Sequence, residues 1–336
     1  MIRAISYSEG NTLLDCQARW DFRYGDRLAG SSLREKSTPI LLRDGKAWGR
    51  AVAALHADDE YGLANALVEL RLALREDSDE QKEAGTYDPD EFERTHTFLG
   101  DVLDHYATTT EHLPIESLEH ELLVPLPSRS GKGDSNRYRL QVFFDGLHTD
   151  EAGRIWIVEF KLRKLLSSLE LIAGSRQIRY YAWAYRKATG NDVAGVIVDE
   201  RLKAAPKPAR ILDSGKPSHA KDQMTTPERY IAACEERDVE PKPETIESLK
   251  GRRWQQRERI FLTDAEIEEA GTELVSLGQQ VAALDGGHVY PVRHPSRARC
   301  PGCAFREICT NPNDTELVEA LFDRKPAKRD REELPA

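Results

Sequence analysis

The sequence predicts an α/β fold from three observations. Apolar residues recur at helical spacing through the first stretch of the chain, up to about residue 110, as in "AWGRAVAALHADDEYGLANALVELRLAL". The pattern then changes to short runs rich in β-branched and aromatic residues, bounded by turn residues. A helical stretch closing at Gly190 then precedes a further strand, "DVAGVIVDERL". The core order is therefore helix, three strands, helix, strand.

Each element follows from its local pattern. "LREDSDEQKEAGTYDPDEFE" is a charged break, expected as an exposed loop, and "RTHTFLGDVLDHYATT" resumes a helix. "HELLVPLP" reads as a strand ending at a Pro and a Ser/Gly-rich loop. "RYRLQVFFDGLH" and "RIWIVEFKLRK" read as a hairpin around the turn "TDEAGR". "LSSLELIAGSRQIRYYAWAYRKATG" reads as one helix. "KAAPKPARILDSGKPSHAKD" reads as a loop, followed by helical pieces at Pro227–Arg237 and Asp264–Leu284 with a strand at "RERIFLT" between them. The expected division is an N-terminal helical part (1–118), a core (119–201), a mostly helical insertion (202–290), a cysteine-bearing end (291–326) and a disordered tail (327–336), all one intertwined domain.

The composition, 39% hydrophobic and 32% charged over 336 residues, suits a soluble globular chain. No apolar run approaches the ~20 residues of a membrane helix. "MIRAISYSEGNTLLD" has no basic-then-apolar signal region, so the expected location is the cytoplasm and no membrane partner is expected. The formal charge of −10 disfavours nucleic acid only weakly, because basic residues cluster in "KLRK", "LKGRRWQQRER" and "VRHPSRARC". Five cysteines, Cys16, Cys234, Cys300, Cys303 and Cys309, are too few and too uneven for a disulfide framework. Three of them crowd into "CPGCAFREIC", one thiolate short of a closed four-ligand shell.

The chemistry concentrates in "FFDGLHTDEAGRIWIVEFKLRK". Glu159 and Lys161 are separated by one residue on a strand and so share a face. The hairpin can bring Asp145, at the end of the preceding strand, beside Glu159. Two carboxylates on one sheet edge make a hard-oxygen site for Mg²⁺ or Mn²⁺, and a lysine beside them can orient water or stabilise phosphate charge. The blander reading of such alternation is a half-exposed strand, but the apolar setting of "IWIVEF" calls for a partner for its carboxylate.

In this order the motifs resemble those of the PD-(D/E)XK nuclease superfamily, in its RecB/AddB/Cas4-like branch. Cys16 with its aromatic–basic stretch, Gly49 and His56 in "GRAVAALH", Asp145 in "FFDG", Glu159 and Lys161 in "EFK", Gln177 and Tyr181 in "QIRYY", and the closing cysteine trio match the family's sequence of motifs. Departures are Phe143 and Phe144 before Asp145, and Leu162 after Lys161.

The resemblance implies a restriction-endonuclease-like core, a mixed β-sheet flanked by helices, with a C-terminal iron–sulfur clasp. It implies a Mg²⁺- or Mn²⁺-dependent deoxyribonuclease, acting as an exonuclease on single-stranded DNA ends. His56, Asp145, Glu159 and the carbonyl of Phe160 would hold the metal, and Lys161, Gln177 and Tyr181 would complete the catalytic set. Cys16 would join Cys300, Cys303 and Cys309 on a [4Fe–4S] cluster, with zinc on the same thiolates as the alternative; Cys234 reads as a packed helix residue. No phosphate-binding "GxxxxGK[ST]" motif is present, so a helicase, recombination or CRISPR partner would be a separate chain. The rival reading is a catalytically inactive iron–sulfur DNA-binding protein of the same fold.

Overall fold

The chain opens on a short strand, β1 (Arg3–Ser6), where helix was expected. The computed structural model describes residues 2–36, 40–57, 61–83, 85, 87–128, 130 and 132–328. The expected disordered tail therefore lies outside the described residues from 329 onward. So do residues 129 and 131 of the Ser/Gly-rich loop and residues 84 and 86 of the acidic stretch.

The Ser6 hydroxyl accepts from the N–H of Glu9 and starts α1 (Tyr7–Asp15). Cys16, in extended backbone, separates α1 from α2 (Gln17–Tyr24). After β2 (Ser32–Glu35) come α3 (Ile40–Ala57), α4 (Gly62–Glu83) and α5 (Pro89–Thr109). α4 runs through the first half of the acidic stretch expected as a loop. Buried Leu70 and Leu74 hold one side of it, and its Glu, Gln and Lys residues are good helix formers that pair locally, as in Lys82–Asp79. The break comes only where Asp88 caps α5 and Pro89 takes its first turn.

β3 (Ser117–Pro127), β4 (Asp134–Thr149) and β5 (Ile155–Arg163) form the expected meander. Asp150 fixes the β4–β5 turn by accepting from the N–H groups of Ala152 and Arg154 and from the Trp156 indole. The single helix expected next is two: α6 (Leu169–Ala173) and α7 (Arg176–Thr189). The break falls at Gly174, and Ser175 caps α7 through the N–H of Gln177. β6 (Gly195–Leu202) then returns parallel to β5. Gly195 has φ +154 and lies so close to β7 (Gln255–Phe261) that a Cβ would collide with the Ile260 carbonyl. The region between β6 and β7 carries α8 (Pro227–Glu235) and α9 (Pro243–Lys250) around a small core of Tyr230, Cys234 and Leu249. Cys234 is thus packed as expected. α10 (Asp264–Asp285) starts on a capping box between Thr263 and Glu266. α11 (Thr315–Leu321) and β8 (Phe322–Lys325) follow the cysteine trio, and β8 pairs antiparallel with β2.

The main sheet runs β1-β4-β5-β6-β7, with β3 also on β4. It is mixed: β1–β4 and β5–β6 are parallel, the other pairs antiparallel. Leu140 faces Val124 of β3 on one edge and Ile5 of β1 on the other; Leu147 faces Ser117 of β3 and Ile157 of β5. β1 and β5 therefore occupy successive stretches of the same edge of β4. Helices cover both faces. Ile157, Val196 and Val198 pack with Tyr181 and Ala184 of α7 and with Leu274 and Leu277 of α10. Trp156, Val158, Phe160 and Ile197 pack with Trp48 and Val52 of α3 and with Leu103 and Tyr106 of α5. Burial on both sides explains why β5 reads as a nearly continuous apolar run. Among the described residues no helix is long and apolar enough to cross a membrane.

Candidate active site

β4 is paired with β1 up to Gln141 and with β5 from Gly146 onward. Asp145 sits in the interval where the edge passes from one neighbour to the other, inside β4 rather than at its end. Pairing of Gly146 with Val158 sets Asp145 beside Glu159. The Asp145 carboxylate reaches across to β5, where Oδ2 accepts the main-chain N–H of Phe160 at 2.6 Å. Its Oδ1 lies 3.3 Å from where a Cβ on Gly49 would stand, so the glycine lets α3 approach the carboxylate closely.

Glu159 is 6% exposed. Its Oε1 accepts from Lys161 Nζ, on the same side of β5, and from Gln177 Nε2 at 2.8 Å. The same Gln177 Nε2 donates to the Tyr181 hydroxyl at 2.7 Å. Gln177 and Tyr181 lie one turn apart on α7, which is why one amide can reach both. Glu159 Oε2, by contrast, is buried with no hydrogen-bond partner. A buried anionic oxygen left without a partner is costly, and a cation is the ligand that would satisfy it. Burial, and after it the charge of Glu159, holds the Tyr181 hydroxyl well above the usual tyrosine range, so it stays protonated.

Tyr7 was not singled out in the sequence. It follows β1 directly, stands edge-on to Tyr181 with ring centroids 6.0 Å apart, and bonds Ser175 at the cap of α7. Burial raises its pKa, and Glu159 and Arg176 are close enough to act on it. A four-residue strand leaves too short a pattern to reveal this placement.

His56 is not brought to the carboxylates. Its Nδ1 accepts the N–H of Leu113 at 3.2 Å, and its Nε2 meets the Tyr106 hydroxyl at 3.0 Å. Tyr106 donates on to Asp199 Oδ2 at 2.9 Å, which Arg257 Nε also reaches at 2.6 Å. Burial, with Arg257 and His112 nearby, lowers the His56 pKa to about 3. Gly49 and His56 are two turns apart on α3, so close approach at the first does not deliver the second. Gly49 thus lies against Asp145, while His56 is held by Leu113 and Tyr106.

The basic clusters divide similarly. Arg257 is committed to Asp199, and Arg179 to Glu273 and Glu269, whereas Lys164 and Arg176 are exposed.

Cys16, Cys303 and Cys309 pack around one small core with Phe22, Phe305 and Ile308, although they come from opposite ends of the chain. Cys300 is exposed, its Sγ accepting from the N–H of Ser296 at 3.2 Å. Further bonds tie the same ends: Ala18 N–H to the Val292 carbonyl at 3.1 Å, Val292 N–H to Gln17 Oε1 at 3.0 Å, and Arg299 Nη1 to the Asp15 carbonyl at 3.1 Å. Burial raises the Cys303 thiol. Among the described residues, no three His, Cys, Asp or Glu side chains are drawn together closely enough to hold a metal ion as they stand.

The family model of the PD-(D/E)XK nuclease superfamily matches residues 4–310. No curated protein matches the chain. Among solved structures, SSO0001 is similar at 13% identity, with 77% of this chain and 84% of that one covered and a TM-score of 0.31. A Eubacterium rectale protein named "Putative exonuclease" is similar at 11% identity, with 88% and 90% covered and a TM-score of 0.38.

Proposed function

The chain belongs to the PD-(D/E)XK nuclease superfamily, and from that premise we propose that it is a divalent-metal-dependent deoxyribonuclease, acting as an exonuclease on single-stranded DNA ends. The observation that carries this reading is the unpaired, buried Oε2 of Glu159 beside Asp145 and Lys161. Asp145 and Glu159, with the Phe160 carbonyl, would hold Mg²⁺ or Mn²⁺, and their donors are the hard oxygens such ions take. His56 drops out of that set, since both its nitrogens are engaged elsewhere. A divalent ion bound there supplies Lewis acidity to the phosphate and lowers the pKa of a bound water.

The protein's own groups do the rest. Gln177 and Lys161 both pull on Glu159 Oε1, which leaves Oε2 free to bind. The Lys161 ammonium orients the attacking water and offsets negative charge building on the phosphate. Gln177, which also donates to the protonated Tyr181, fixes Glu159 from α7. The reaction is hydrolysis without a covalent enzyme intermediate.

The finer assignment is to the RecB/AddB/Cas4-like branch, with a [4Fe–4S] cluster on Cys16, Cys300, Cys303 and Cys309. Its support is the convergence of three of these thiols on one core and the bonds tying the chain ends beside them. Such a cluster would restrict a very long loop of the unfolded chain, so its role is structural first. Processes that fit are recombination and repair, phage replication and CRISPR-type processing, with any helicase supplied by a separate chain.

The deciding experiment is a nuclease assay on end-labelled single-stranded DNA with and without Mn²⁺, using Glu159→Ala as control. Cleavage that needs metal and Glu159 supports the reading. Tight DNA binding without turnover would instead favour the inactive DNA-binding protein. A brown anaerobic preparation absorbing broadly near ~400 nm supports thiolate-bound iron, whereas a colourless one containing zinc overturns the cluster.

A further inference from the structure

The two phenylalanines that precede Asp145 are placed differently. Phe144 is buried, its ring centroid 6.0 Å from that of Tyr181 and 6.4 Å from that of Tyr185. Phe143 is 51% exposed. One exposed apolar residue is ordinary in itself. What sets Phe143 apart is where β4 puts it.

From Leu140 to His148 the strand alternates strictly. Its even-numbered residues are buried and its odd-numbered ones are more open. Its register with β3 runs unshifted from Leu140 to Leu147. Phe143 and Asp145 therefore share one side of the strand, about 7 Å apart along it. Both fall between the stretch of β4 paired with β1, which ends at Gln141, and the stretch paired with β5, which starts at Gly146. The ring thus stands at a notch in the sheet, one side-chain step from the carboxylate. Leu123 of β3, opposite Gln141, is exposed on the same side and diagonal to Phe143, within reach of an aromatic side chain.

Charge narrows what such a surface can receive. Glu121 lies opposite Phe143, and Gln141 Nε2 donates to its Oε1 at 2.7 Å. That carboxylate repels a phosphate but not a neutral base. The phosphate belongs instead at the cation proposed on Asp145 and Glu159, beside Lys161. A nucleotide brings both parts together, an anionic phosphate and a base with flat apolar faces.

We propose that Phe143 is a stacking platform for a base of the DNA strand next to the phosphate received at Asp145 and Glu159. It rests on the nuclease reading above. Bases inside a duplex cover one another's faces, so only an unpaired, splayed base can lie on the ring. The preference for single-stranded ends thereby gains a physical basis. Every base has such a face, so the platform does not select sequence.

The test uses the full-length protein with Ca²⁺ in place of the catalytic metal, and labelled single strands followed by anisotropy. Phe143→Ala is expected to weaken binding by about tenfold, within the range for one base–aromatic contact. Binding of a blunt duplex should change little. Phe143→Trp should keep wild-type affinity. Phe143→Leu, which keeps bulk and loses the ring, should lose most of the tenfold, and it carries the test if melting shows the alanine variant unfolded. A single abasic nucleotide is then moved stepwise along the strand. At one position it should cost the wild type about tenfold and the ring-less variant nothing further, because ring and base act as a pair. With Mn²⁺, loss of the ring should raise KM by a similar factor and leave kcat nearly unchanged.

Equal single-strand affinity with and without the ring, in a wild type that cuts DNA, overturns the platform and leaves the nuclease reading standing. So does an abasic penalty that is the same in both proteins at every position. A wild type that neither binds nor cuts DNA sinks both. A wild-type dimer that the ring-less variant converts to monomer shows Phe143 covered by a second copy, and also overturns the platform.

Discussion

On one face of the sheet Glu159 gives one oxygen to Lys161 and Gln177 and keeps the other bare; on the opposite face Asp199 is bonded by Tyr106 and Arg257. The two residues stand on neighbouring strands, Glu159 beside Val198 and Asp199 beside Phe160. Both are buried carboxylates with basic partners, and a sequence pattern would rank them alike. The difference lies in completion. The Asp199 group is closed: histidine, tyrosine, carboxylate and guanidinium satisfy one another, as a structural network must in a low-dielectric interior. The Glu159 group is left incomplete at Oε2, where the proposed cation would be received.

Removing the open carboxylate should have the largest effect. Glu159→Gln is expected to reduce cleavage by about 10³-fold or more, because charge stabilisation at the phosphate is lost, while melting holds or rises slightly. Asp145→Ala and Lys161→Ala should behave in the same way. Steady-state assays and thermal melts of the same preparations check this, and Glu159→Gln activity within tenfold of wild type would remove the site from consideration.

Breaking the closed network should do the reverse. Asp199→Ala leaves the Arg257 guanidinium without its carboxylate, and loss of one partner of a buried pair costs about 3–5 kcal/mol. Urea unfolding should show that loss. The folded fraction, assayed at low temperature, should keep its turnover. A drop in turnover with unchanged stability would reverse the assignment of the two faces.

The closed network also has a pH signature. His56 has a folded pKa of about 3, below its ordinary value of 6.5. Above pH 6.5 the ring is neutral in both states and adds no slope. Below it, the unfolded chain takes up a proton that the fold refuses, so stability falls by about 1.4 kcal/mol per unit, down to the folded pKa. By pH 5 the expected loss is roughly 2 kcal/mol. His56→Gln should flatten the curve by that amount relative to wild type. Parallel curves for the two proteins between pH 7 and 5 would mean that the ring is protonated in place.

The smallest effect should come from the support of the open group. Gln177→Ala frees Glu159 Oε1 and Tyr181 from their shared amide, and a fall in rate of roughly tenfold is expected. An effect as large as that of Glu159→Gln would place Gln177 on the substrate itself.

Much of this site is legible without a structure. Alternation along "EFK" sets Glu159 and Lys161 on one side, one helical turn sets Gln177 by Tyr181, and the β4–β5 turn carries its own signals in Asp150 and Gly153. These relations lie between residues near in sequence, and the periods of strand and helix fix them. Other expectations yielded to contacts between distant segments. The acidic stretch after Leu74 became helix because Leu70 and Leu74 are buried among α3 and α5. The helix after β5 broke at Gly174, where Ser175 could cap a new start beside Tyr7.

His56 shows the boundary most clearly. Its sequence places it on a helix after a glycine that does approach Asp145. What its nitrogens bind was decided by Leu113, Tyr106 and Arg257, arriving from a loop, another helix and an edge strand. The sequence by itself determined which side chains share a face of one element. Only the tertiary structure decided which buried polar groups were satisfied and which was left open, because satisfaction depends on partners that no local period encodes.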